Sequence, residues 1–147
     1  MAETLGSLCD KLTVVKLKHY HTDDDEKIRS LAEQEKQLCE EIDTYLNDAI
    51  AGKILIEKLT FSPNKVYYKL GNEVKALSDK VGIMLSNLSL VNCKLWHIQE
   101  KVYVFKEIDP TEKDEVIHQL SVLNLERNQY IDEIDKQFKR LIQYMRR

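Results

Sequence analysis

The chain has 147 residues, 43% of them hydrophobic and 32% charged, with a net charge of -3 and only four Gly and two Pro. That length supplies one hydrophobic core and no room for a second. So few turn residues exclude an all-β sandwich, and charge this mixed excludes a disordered tail. A helix-rich single domain remains, without the basic stripe that marks a nucleic-acid binder.

Leu5, Leu8, Leu12 and Val15 recur at helical spacing and define a first helix. It ends at Thr22-Asp23-Asp24-Asp25-Glu26. That acidic run resembles a magnesium-binding cluster, but carboxylates in a helix's first turn are stabilised by the macrodipole, so it reads as the start of a second helix. Ile28, Leu31, Leu38, Ile42, Tyr45 and Ala49 carry that helix. From Gly52 to Asn72 the pattern breaks. Residues 54–61 and 65–70 flank Ser62-Pro63-Asn64, which permits a short β-hairpin or an irregular connector. Its lysines and tyrosines face either an acidic partner or water.

Val74, Leu77, Val81, Met84, Leu88, Val91, Leu95, Ile98, Val102 and Phe105 alternate three and four apart, predicting a third helix of ~50 Å from about Glu73 to Lys106. A second row, Ile83, Leu90, His97 and Val104, runs beside the first, so this helix is expected to be central and buried on more than one face. Asp109-Pro110-Thr111-Glu112 marks the next turn, with Asp109 as N-cap and Glu112 placed to close a capping box. Leu120, Leu123, Tyr130, Ile134, Leu141 and Met145 complete a fourth helix. The expected fold is all-α: an antiparallel four-helix bundle of two hairpins, residues 3–51 and 73–147, joined by the connector 52–72.

The hairpins resemble one unit written twice. At an offset of 76, Gly6, Leu12, Val15, Lys18 and His21 meet Gly82, Leu88, Val91, Lys94 and His97; at an offset of 92, Glu41-Ile42-Asp43 meets Glu133-Ile134-Asp135. The 16 residues between these offsets, divided over two helices, lengthen each helix of the second hairpin by about two turns, or ~12 Å.

Polar residues interrupt the apolar stripes at matched positions. Glu35 breaks the seam of the second helix and Arg127 that of the fourth, so the two are expected to approach one another or a shared bound group, or else to extend out of the seam. Lys18-His19-Tyr20-His21 matches Lys94-Leu95-Trp96-His97. Lysine and histidine three apart share a helical face, so Lys18, His21, Lys94, His97 and Arg127 would together suit a phosphate, sulfate or carboxylate. The alternative is that the lysines pair with Glu41, Asp43, Glu133 and Asp135. No metal site or cofactor is expected. Glu115 and His118 have the Glu-x-x-His spacing of di-iron bundles, which require that motif twice, and Cys9, Cys39 and Cys93 read as reduced thiols. With no export signal at the start of the chain and no apolar run long enough to span a bilayer, a cytoplasmic protein with no membrane partner is expected.

Thr4 to Val15 followed by Lys18, the segment Trp96-His97-Ile98-Gln99-Glu100, and Leu123-Asn124-Leu125-Glu126-Arg127-Asn128 together resemble bacterial families known only as domains of unknown function. Their pattern is similar to T-x-G-x-L-x-D-K-L-[ST]-[IV] with a later W-H and L-N-x-x-R-N. The resemblance singles out Lys18, Trp96, His97, Arg127 and Asn128, and implies a genomic context of sugar transfer and surface polysaccharides rather than a reaction. The sequence as a whole predicts a non-catalytic interaction or assembly module that self-associates through the third helix. The alternative is a small enzyme or sensor that holds a phosphorylated or sugar-nucleotide ligand among the Lys, His and Arg side chains.

Overall fold

The structure is a computed structural model that describes residues 2–61 and 79–146. It is a four-helix bundle: α1 spans Leu5–His21, α2 Asp25–Ile50, α3 Val81–Tyr103 and α4 Pro110–Met145, with 3-10 turns at Ile56–Lys58 and Phe105–Glu107. There is no strand among the described residues. The first arm of the connector forms the turn at Ile56–Lys58, and residues 62–72 lie outside the described part. No described helix is long and apolar enough to cross a membrane.

Each helix start has a chemical cause. Thr4 and Ser7 close a reciprocal capping box on α1, with Thr4 Oγ1 accepting from the Ser7 amide at 3.2 Å and Ser7 Oγ from the Thr4 amide at 2.8 Å. On α2, Asp24 accepts from the Lys27 amide at 3.1 Å, so the acidic run contributes the N-cap. Asp109 caps α4, with Pro110 in the first turn. Its carboxylate takes the amide and hydroxyl of Thr111, both at 3.0 Å, rather than joining Glu112 in a box. At the other end of the molecule Arg146 Nη2 donates to the carbonyls of Ala49 and Ile54, at 2.7 and 3.0 Å, and so ties the end of α4 to the end of α2 and the segment that follows it.

Leu5, Ala49, Met84, Leu88, Ile134, Phe138 and Ile142 form the main core at the end of the bundle opposite the helical tips, and Leu59, fully buried, closes it from below. Gly6 sets the spacing between α1 and α4. A Cβ there would stand 2.6 Å from the Ile131 carbonyl oxygen, so only glycine lets the two backbones meet. Gly82, its match by sequence, has open space around it.

Three expectations change. Among the described residues α1 and α4 each pack on all three other helices, whereas the main packing of α3 is on α4 and α1. With both neighbours on one side, the row Ile83, Leu90 and Val104 remains 46%, 53% and 47% exposed, with His97 exposed between them. The central pair is therefore α1 with α4. Next, α3 is shorter than its periodicity: it begins at Val81 with residues 79 and 80 outside the helix, and it stops at Val104, where the chain turns to bring Phe105 under the Lys113 ammonium, 4.9 Å from the ring centre. Residues 73–78 are outside the described part. Finally, the close approach at Gly6 turns α4 so that Ile131, Ile134, Phe138 and Ile142 face inward and Leu141 and Met145 outward. The second hairpin is the longer one, with helices of 23 and 36 residues against 17 and 26.

Candidate functional site

A polar layer crosses the bundle above the main core. Asp10, only 5% exposed, receives both arms of Arg127: Nε at 2.9 Å from Oδ1 and Nη2 at 2.5 Å from Oδ2. Asn92 Nδ2 donates to the same Oδ1 at 3.0 Å and to Thr13 Oγ1 at 2.7 Å. One carboxylate thus ties α1 to α3 and α4, and the forked, two-bond contact holds the guanidinium even more firmly protonated than usual. This layer corrects the expected partnership of Glu35 with Arg127. Glu35 instead accepts from Lys16 Nζ at 3.1 Å and lies 3.9 Å from His19 Nδ1. The two interruptions serve different interfaces, α1 with α2 and α1 with α4.

About two turns further along α4, Asp135 is 1% exposed, and its Oδ1 accepts from the Gly6 amide at 2.7 Å. Its Oδ2 has no hydrogen-bond partner, nor has the buried hydroxyl of Tyr45. Burial pushes this carboxyl up to about 6, against the opposing pull of Thr4 and Gly6 as hydrogen-bond donors. Burial and the proximity of Asp135 likewise push the Cys9 thiol up to about 11 and the Tyr45 phenol up to about 12.

The α1–α2 interface carries a furrow whose character changes along its length. At the core end a cavity of about 470 Å³ is lined by Glu3, Glu40, Glu41 and Asp48. It shares Gln37 and Glu41 with a middle cavity of about 370 Å³, which Arg127, Lys11 and Lys18 also line. At the tip end a third cavity of about 360 Å³ shares Lys18 and Gln34 with the middle one and is bordered by His21, Lys27, Ser30 and Trp96, with no acidic side chain in its lining. The His21 imidazole stacks on the Trp96 ring, centroids 4.7 Å apart at 14°, so α3 contributes a wall to a groove cut mainly between α1 and α2. The Trp96 indole N–H is held by Glu100 at 2.9 Å.

Of the residues singled out by sequence, Lys18, His21, Trp96 and Arg127 therefore border one furrow. Lys94 and His97 lie exposed on the outer face of α3 and do not join them, and Asn128 donates within its own helix, to the Asn124 carbonyl at 2.7 Å. The expected lysine–carboxylate network is not formed: Lys18 and Lys94 have no ion pair among the described residues, and Asp135 is held by a backbone amide. Among the described residues no group of three or more His, Cys, Asp or Glu is arranged to hold a metal ion. The residues that sequence reasoning missed are Asp10 and Asn92. Asp10 lies two residues from Leu8 and from Leu12 on α1, and nothing local marks it as buried, because its partners Asn92 and Arg127 come from distant parts of the chain.

A second surface lies between α1 and α3. A groove of about 450 Å³ with an almost wholly apolar lining runs past Leu12, Leu17, Tyr20 and Cys93. The next positions around α3 are Leu90 and Ile83, and Tyr20 stands 85% exposed at the groove's end.

Compared with known protein families, curated proteins and solved structures, the chain matches none.

Proposed function

We propose that this protein is a non-catalytic helical interaction module that self-associates through the face shared by α1 and α3. The observation that carries this reading is the apolar groove past Leu12, Leu17, Tyr20 and Cys93, together with Leu90 and Ile83 exposed on the same helix, α3, as Cys93. Contiguous apolar surface of this kind on a small domain marks an interaction site, where single exposed hydrophobic residues do not. A second copy is the occupant because the same face carries a projecting ring, Tyr20, and an open groove beside it, and a twofold axis places each ring in the other copy's groove. The one ammonium lining that groove, Lys16, is already paired with Glu35, so closing the interface strands no charge. Sedimentation velocity tests the reading. A dimer is expected for the parent chain, and a monomer of unchanged helical circular dichroism for Leu90→Glu or Tyr20→Glu. A parent chain that stays monomeric at about 100 μM, well above the micromolar range of ordinary specific association, rejects it.

A further inference from the structure

We infer that the tip end of the α1–α2 furrow is a binding site for a phosphate monoester, with the phosphate held by Lys18, Lys27 and His21 and the esterified body lying in the middle cavity. The site does not depend on self-association, which uses the opposite side of α1.

The first argument is electrostatic. Acidic groups outnumber basic ones in the chain, 25 to 22, and Asp23, Asp24, Asp25 and Glu26 stand exposed close by in sequence, yet no carboxylate lines the tip cavity. The other lysines of α1 are neutralised, Lys11 by Glu3 and Lys16 by Glu35. Lys18, two residues along α1 from Lys16, has no ion pair among the described residues, and neither has Lys27. Two unpaired ammonium groups bordering one concave, acid-free surface concentrate positive potential there, which a dianionic oxyanion relieves.

The second argument is preorganisation. Trp96 fixes the plane of the His21 ring, so the imidazole enters the site without the ordering cost of a free side chain. Ser30 and Gln34, hydrogen-bonded to each other at 3.2 Å, add neutral donors along one wall. These groups suit an oxyanion with several acceptor oxygens better than a single carboxylate.

Size and position extend the assignment from phosphate to an ester. Cavities of about 360 and 370 Å³ that share Lys18 and Gln34 fall within the range of small-molecule sites, and a bare phosphate occupies only part of the first. In the second, Val14, Val15 and Leu38 alternate with Gln37 and Glu41, a lining that accepts a small organic body bearing hydroxyl groups. Arg127 borders it with its Nη1 arm uncommitted, since Nε and Nη2 are held by Asp10. The carboxylates at the core end oppose binding of the phosphate in the reverse sense.

Titration with inorganic phosphate, glycerol 3-phosphate and glycerol at matched ionic strength, followed by amide and indole chemical shifts, tests the site. Saturable shifts at Lys18, His21 and the Trp96 indole are expected for both phosphates and not for glycerol, with the ester binding at least ~10-fold tighter than phosphate. Lys18→Gln is expected to weaken phosphate binding by ~10-fold or more, consistent with loss of one charge-assisted contact. Lys94→Gln, at the matched position outside the groove, is expected to leave binding unchanged. Because Lys18 is exposed, its variant folds, and an unaltered melting temperature without ligand verifies this. Absence of saturable shifts at about 10 mM phosphate or ester, equal loss with both variants, or shifts spread over all exposed lysines would overturn the site. Equal affinity for the two phosphates would overturn the placement of an ester body in the middle cavity.

Discussion

Asp135 places a titrating group where burial favours its neutral form. Its carboxyl, pushed up to about 6 by burial, protonates more readily folded than unfolded. The sign follows from linkage: between the unfolded value near ~4 and the folded value the native state binds more protons, so stability falls as pH rises through that window. Urea unfolding between pH 4 and pH 7 is expected to show this decline, and Asp135→Asn, which keeps an acceptor for the Gly6 amide, to flatten it. A variant with the parent's pH slope would assign the decline to another group. Arg127 behaves differently. Truncation to Met leaves the Asp10 carboxylate buried with only Asn92 to satisfy it, at a cost of about 2–3 kcal/mol, below the ~3–5 kcal/mol of a fully buried pair because Arg127 keeps a third of its side chain in water. The double variant Asp10→Leu/Arg127→Met is expected to recover part of that loss in denaturant titrations. Arg127 was legible in the sequence as a charge on an apolar seam. Asp10 was not, because a carboxylate two residues from the nearest members of the stripe Leu5, Leu8, Leu12, Val15 reads as surface until the angle between α1 and α4 is known.

That angle is set at the scale of the helices, by Gly6. Replacing it with Ala drives a Cβ to 2.6 Å from the Ile131 carbonyl oxygen and 2.9 Å from Asp135 Oδ1, and is expected to cost about 1–3 kcal/mol as the helices part. Gly82→Ala meets nothing within 4 Å and is expected to raise stability by about 0.5 kcal/mol. Thermal unfolding of the two variants separates a packing glycine from a spacer. Sequence pairing of Gly6 with Gly82 gave no hint of the difference, since a glycine's use lies in its neighbours. The number, order and antiparallel pairing of the helices were legible because each seam repeats over several turns. Which seam of α3 and of the end of α4 turns inward was not, for both helices carry apolar residues on more than one side and packing alone chooses between them. The same choice leaves the thiols unequal. Cys39 and Cys93 are exposed while Cys9 is half-buried and its thiol is pushed up to about 11, so two fast reactions and one slow one are expected with a thiol reagent on the monomeric Leu90→Glu variant.

Across the whole molecule, the two proposed surfaces lie on opposite sides of α1: an apolar face toward α3 and a furrow toward α2 that passes from acidic to basic. The furrow explains why matched motifs in the two hairpins do not act together. Lys18 and His21 sit beside a second helix, whereas Lys94 and His97 stand on the side of α3 left exposed among the described residues. The polar layer also bears on how the chain comes together in time. Each hairpin closes through neighbours near in sequence, but the bonds of Asp10 to Arg127 and of Gly6 to Asp135 span 117 and 129 residues. Such long-range closures slow folding relative to local ones, and α1 reaches its partners on α4 only after the segment through Asp135 has been synthesised.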